Sequence, residues 1–303
     1  MIIAPFKILV VSARFFPLTY IFTVVCFMCN FEGYLPLVLS TMRKLVKSYE
    51  AWDHTSDKFD HTVTVWKEGD NYFQAKHSAR AHAFDLESLP ATIPIPMKFF
   101  VGRWDASFTE LPLLTPTDSF LKRPSILLPE NYDDARSGNT HGQGERRFRT
   151  PGDDMVEEAK IYDILKKHIH PNICIYYGCI RSGNYLTAIC LKKYPRSLQH
   201  AVWNGDRTLD SGAILDGISK GLRFLHETLS LVHNDINPSN IMLGDAGDAV
   251  IIDFDSCLPI GREIGFRKGG TFGWTSEPPP TIAVPENDLY GLTLIAKFME
   301  EST

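Results

Sequence analysis

From Leu231 to Leu243 the chain reads LVHNDINPSNIML, with His233, Asn234, Asp235, Asn237 and Asn240 set between two apolar flanks. This is the strongest constraint in the sequence, because polar groups pressed between buried flanks must be satisfied internally or turned toward a ligand. The stretch reads as a strand end, a tight polar loop and a new strand. The following GDAGDAVIIDFD closes a short hairpin whose apolar strand ends on Asp253. The loop is either catalytic or a well-hydrogen-bonded turn.

The flanking sequence places this loop in a mixed α and β chain. DDMVEEAKIYDILKKH carries Met155, Ala159, Ile161, Tyr162 and Leu165 at helical spacing, with acids in its first turn and lysines in its last. ICIYYGCI and YLTAICL, joined at Arg181-Ser182-Gly183-Asn184, predict a hairpin. LDSGAILDGISKGLRFLHETL predicts a second helix with Ile214, Leu215, Ile218, Leu222 and Leu225 on one face. Nearer the N-terminus, HTVTVWKEGDNYFQA suggests a hairpin turning at Glu68-Gly69-Asp70-Asn71. LPATIPIPMKFF, residues 89–100, reads as a linker or edge segment. DSFLKRPSILL predicts a strand that runs into a polar loop from Glu130 to Asp154.

The chain has 303 residues, a length that suits a two-lobed domain or one domain with an extension. A net charge of −5 excludes a basic nucleic-acid footprint. Cys26, Cys29, Cys174, Cys179, Cys190 and Cys257 follow neither disulfide nor zinc spacing and read as reduced thiols of an intracellular, cytoplasmic protein. The Cys26-Phe27-Met28-Cys29 spacing lies in an apolar run without a helix start and is read as core. Between Arg14 and Glu32 an uncharged run sits at the short edge of membrane-span length. It is an anchor, a buried element or a leader, and any membrane contact is confined to residues 8–31. It is expected to be dispensable for the rest of the chain.

Asp235, Asn240 five positions later and Asp253 thirteen positions after that form an oxygen-rich set. Hard Mg²⁺ takes such ligands, binding through few protein oxygens together with substrate phosphates. Asp235 would then orient and deprotonate a hydroxyl for in-line attack on a phosphoryl group.

These residues resemble the protein kinase superfamily, whose H-R-D-x-x-x-x-N loop and D-F-G element are similar to HNDINPSN and DFD here. The resemblance covers roughly residues 118–298 and is especially close to a group of kinase-like proteins abundant in filamentous fungi. It implies a two-lobed α+β fold, with a small β-rich N-lobe and a mainly helical C-lobe that stops after an αF-like helix. HPNICIYYGC places Glu158 on the αC-like helix, FLKRP offers Lys122 as its partner and phosphate ligand, and ENDLYGL supplies Asp288 as a helix-capping and loop-holding acid. Asp235 is then the catalytic residue, and Lys122, Glu158, Asn240 and Asp253 bind the cofactors, with Asn240 and Asp253 on the metal. His233 is read as a packed residue that braces the loop. ATP and Mg²⁺ are the implied cofactors, a protein Ser/Thr hydroxyl the default acceptor, and nucleic acid no partner.

The departures are specific. Asn234 replaces the loop arginine, Asn237 the lysine near the transferred phosphate, and Asp255 the glycine of D-F-G. No glycine-rich motif precedes Lys122. A pseudokinase scaffold and a small-molecule kinase are therefore the alternatives. Without the loop arginine, activity is expected not to need phosphate on Thr271 or Thr275, with Arg262, Arg267 and Lys268 the nearby cations. The organisation read from the sequence is an apolar segment at 1–40, an extension at 41–94, an N-lobe at 95–191 and a C-lobe at 192–303.

Overall fold

The computed structural model describes residues 42–53, 58–69, 71–90, 95, 97–124, 150–265 and 269–301. The apolar N-terminal run, Cys26, Cys29, Arg267, Lys268 and residues 125–149 of the polar loop lie outside them. Two compact units, Met1–Ile95 and Pro96–Thr303, make up the chain.

In the first unit β1 (Lys44–Asp53), β2 (Lys58–Glu68) and β3 (Asn71–His77) form an antiparallel sheet in that order. The predicted hairpin is β2–β3, with Glu68 paired to Asn71. Strand β1, which the sequence reading did not foresee, pairs along the other edge of β2. Thr62, Val63, Thr64, Val65 and Trp66 are all buried, so the central strand is covered on both faces and its alternation is blurred. Trp66 stacks on Phe73 with ring centres 5.6 Å apart. The Arg43 guanidinium lies 5.1 Å over Trp66 and donates to the carbonyls of Leu86 and Leu89, closing this small core.

The second unit begins with a β-rich part. Strand β7 (Tyr185–Lys192) pairs with β6 (Tyr176–Ser182) on one side and with β4 (Gly102–Arg103) and β5 (Ser119–Lys122) on the other. Helix α1 (Pro151–Lys166) packs beside this sheet. Thr150 and Asp153 form a reciprocal capping box at its start, and Pro151 stands at the first helical position, where its missing N–H costs nothing. The buried face carries Met155, Glu158, Ala159, Tyr162 and Leu165 at three- and four-residue steps. Burying each large apolar side chain there contributes roughly 1.5–3 kcal/mol. Glu158 is the one charge on that stripe.

The helical part follows. Ser197 caps α2 (Leu198–Trp203), and Asp210 caps α3 (Ser211–Arg223), which buries Ile214, Ile218 and Leu222 as the periodicity predicts. A π turn, Phe224–Thr228, carries the chain into β9 (Leu231–Val232). Strands β10 (Ile241–Leu243) and β11 (Ala249–Ile251) form the expected hairpin, with β8 (Arg196–Ser197) on the outer edge of β10. The two flanks of the opening stretch are not partners of each other. Strand β9 pairs instead with β12 (Leu258–Pro259), beyond Asp253. Helix α4 (Pro285–Glu300) ends the described fold, a mixed α+β arrangement of β-rich and helical parts. No helix among the described residues is long and apolar enough to cross a membrane.

Candidate active site

Helix α4 fixes the polar loop from below. Asp288 is fully buried, and its carboxylate accepts the backbone N–H of Asn234 at 2.7 Å, the backbone N–H of His233 at 2.9 Å and Nε2–H of His226 at 2.8 Å. Val284, not Asp288, occupies the cap position of α4, so of the two roles expected for Asp288 the loop-holding one is present and the capping one is not. Gly291 sits one turn further along. A Cβ there would lie 2.4 Å from the Ile236 carbonyl, so only glycine lets the loop rest on the helix.

Within the loop His233 accepts the Asp235 N–H at Nδ1 and so carries its proton on Nε2, which donates to the Ile252 carbonyl at 2.9 Å. Its ring meets Phe254 edge-on at 5.0 Å, and Phe254 in turn meets Tyr162 of α1 at 5.4 Å. The bracing role expected of His233 is what this geometry shows.

Asp235 is 3% exposed and saturated with donors. One carboxylate oxygen accepts Nδ2–H of Asn237 at 3.0 Å, the Thr271 N–H at 2.8 Å and the Thr271 hydroxyl at 2.7 Å. The other accepts Nδ2–H of Asn240 at 3.1 Å. Gly270 lets Thr271 approach: a Cβ there would lie 2.9 Å from the Asn234 carbonyl.

Lys122, Glu158 and Asp253 come together from three elements. The Lys122 ammonium donates to Glu158 at 2.6 Å and pairs closely with Asp253, 131 positions later in the chain. Burial alone would lower the lysine, but the Glu158, Asp253 and Asp255 carboxylates outweigh it and hold its pKa above the ordinary value. For Glu158 burial dominates and pushes the carboxyl up to about 7, Lys122 opposing and Asp253 reinforcing. Glu158 is 2% exposed and so belongs to the buried face of α1 rather than to its solvated side. Lys122 and Asp253 retain 24% and 25% side-chain exposure, so this side of the triad is open to a ligand. Asp253 adopts a left-handed backbone, φ 65°, uncommon for a residue with a side chain and worth a functional reading.

The oxygen donors fit a hard cation. Both amide hydrogens of Asn240 go to Asp235, to its carbonyl at 2.9 Å and its carboxylate at 3.1 Å, so its amide oxygen is the atom a cation would take. Among the described residues no cluster of three or more His, Cys, Asp or Glu side chains could hold a metal. A site built from one carboxylate and one amide is below that count, as a cation shared with phosphates requires.

Three features escaped the sequence reading. Thr271 on Asp235 and Asn287 on Asn234 carry no local signal, because each contact spans tens of residues. Asp255 beside the triad was noted only as a lost glycine. The thiols of Cys174 and Cys179 are buried, and burial pushes both up to about 12, in line with inert core cysteines.

Residues 143–275 match the protein kinase domain family. A probable LRR receptor-like serine/threonine-protein kinase of Arabidopsis thaliana is 37% identical over 144 residues, 44% of this chain and 13% of that protein. Cysteine-rich receptor-like protein kinase 10 of Oryza sativa subsp. japonica is 36% identical over 164 residues, 49% of this chain and 24% of that protein. The serine/threonine-protein kinase mig-15 of Caenorhabditis elegans is 26% identical over 182 residues, 49% and 16% of the two chains. The chain thus spans less than a quarter of the length of these relatives. The matched stretch, which holds Glu158, Asp235, Asn240 and Asp253 but neither Lys122 nor Asp288, is similar to a protein kinase superfamily domain.

Proposed function

We propose that this chain transfers the γ-phosphoryl group of ATP to a Ser or Thr hydroxyl of a protein. The observation that carries the reading is the meeting of Lys122, Glu158 and Asp253 from three elements in the same unit as the saturated Asp235. Glu158 holds Lys122 from the buried side, leaving the ammonium to bind phosphate oxygens on the open side. Asp253 and the Asn240 carbonyl oxygen would hold Mg²⁺, which when bound neutralises charge on the transferred phosphates. Asp235 orients the acceptor hydroxyl and takes its proton, while Asn237, Asn240 and Thr271 hold the carboxylate in place. We assign the phosphate-binding lobe to residues 96–191, since Ile95 belongs to the first unit, and the loop-bearing lobe to 192–303.

The test is incubation of the full chain with labelled ATP, Mg²⁺ and casein, alongside Lys122→Met. Transfer to casein that the substitution abolishes is expected. No label on either protein, or label unaffected by the substitution, would overturn the reading.

A further inference from the structure

The segment leaving Asp253 goes out along β12 and comes back into α4, and both arms are tied to one side chain. Asn234 is 7% exposed and stands at φ 64°, a conformation asparagine tolerates better than most residues. Its Nδ2 donates to the Val232 carbonyl at 3.2 Å and to the Ser256 carbonyl, on the outgoing arm, at 3.1 Å. Its Oδ1 accepts Nδ2–H of Asn287 at 3.0 Å, and the same amide donates to the Ile282 carbonyl, on the returning arm, at 2.9 Å. The arms also pair with each other: Gly261 donates to Ala283, Ala283 to Arg262 and Ile264 to Thr281, at 2.8 to 2.9 Å. Val232, Leu258, Ile264 and Ala283 form a separate apolar cluster beneath them.

Resting on the phosphotransfer reading of the site, we propose that Asn234 and Asn287 are positioning residues. They form an amide clasp that holds both arms on the Asp235 loop without any phosphate group. The four bonds of the clasp all go to neutral partners: two backbone carbonyls for Asn234, one for Asn287, and the amide–amide bond between them. An anion has no role in this network. The clasp lies against the loop that presents Asp235, next to the Asp288 carboxylate that holds the same loop's backbone. It therefore governs where the acceptor is presented. Its four hydrogen bonds go to Val232, Ser256, Ile282 and between the two amides, none of them to the Lys122–Glu158–Asp253 triad that faces the nucleotide.

The experiment compares the full chain, phosphatase-treated and verified by intact mass, with its untreated form and with Asn287→Ala and Asn234→Asp. Amide hydrogen exchange, Mg²⁺-dependent ATP affinity and the KM for casein are read. In Asn287→Ala the amides of 256–264 and 281–283 are expected to exchange about tenfold faster, the scale of one lost hydrogen bond, while α3, β10 and β11 are unchanged. ATP affinity should hold within about twofold and the casein KM should rise. Phosphatase treatment should change none of these in the parent. Uniformly faster exchange in the variant, or none, overturns the clasp, as does a phosphatase-treated parent that loosens in the same way. If Asn234→Asp fails to fold, Asn287→Ala decides alone. A parent that transfers no phosphate sinks the functional reading, while exchange still judges the clasp.

Discussion

Burial pushes the Glu158 carboxyl up to about 7 from an ordinary 4.5, with Lys122 pulling it down and Asp253 adding to the rise. The native state then binds a proton that the unfolded state does not across the window from about 4.5 to 7. Stability from this group is therefore present below 4.5 and lost as the pH rises through 7. The ion pair with Lys122 runs the other way, since it exists only once Glu158 is ionised. The melting temperature of the parent minus that of Glu158→Gln should fall as pH is raised from 6 to 8, while parent ATP affinity rises. Both moving together would contradict this placement of Glu158. The two loop aspartates should also separate. Asp235→Asn keeps shape but removes the base, so turnover should drop by about 10²–10⁴-fold with ATP binding intact. Asp253→Asn should weaken Mg²⁺-dependent binding as well. Titration of ATP with and without Mg²⁺, beside a rate measurement, distinguishes the two.

At the scale of elements, the seat of the loop on α4 depends on the missing side chain at Gly291. Gly291→Ala forces a Cβ against the Ile236 carbonyl. Its expected cost is about 1–3 kcal/mol, the ordinary range for overpacking, readable as a lower denaturation midpoint. An unchanged midpoint would mean that loop and helix can part freely. Elements were legible where local chemistry sets them. The helical spacing of Met155 to Leu165 announces α1, although its Thr150 cap and first turn fall in the stretch read as polar loop, and Arg181 to Asn184 announce the β6–β7 turn. The pairing of β9 with β12 was not legible, because two-residue strands have no periodicity and find partners by tertiary packing. The site divides the same way. Asp235, Asn240 and Asp253 stand out as polar residues among buried strands. The Thr271 and Asn287 contacts depend on chain closure over 34 to 53 positions, which no window of sequence displays.

For the whole molecule, each unit closes its own core, Trp66 with Ala75 and Leu89 in the first and the large cluster from Phe108 to Met299 in the second. A fragment beginning at Pro96 is therefore expected to fold and to bind ATP as the full chain does, checked by its melting curve and by ATP titration. A fragment that misfolds would show that the second core is incomplete without earlier residues. The Asp288 anchor carries a further consequence, for the order of events during synthesis. The carboxylate that fixes the backbone of His233 and Asn234 lies 55 and 54 positions downstream of them. While the ribosome is still making the intervening segment, those two N–H groups have no native acceptor, and the loop cannot take its final shape. The scaffold strands and helices upstream can settle first where both partners precede α4, as β5 and β7 do. The geometry of the Asp235 loop is thus among the last features to form, after α4 has emerged, so a nascent chain can hold Lys122 on Glu158 well before that loop is set.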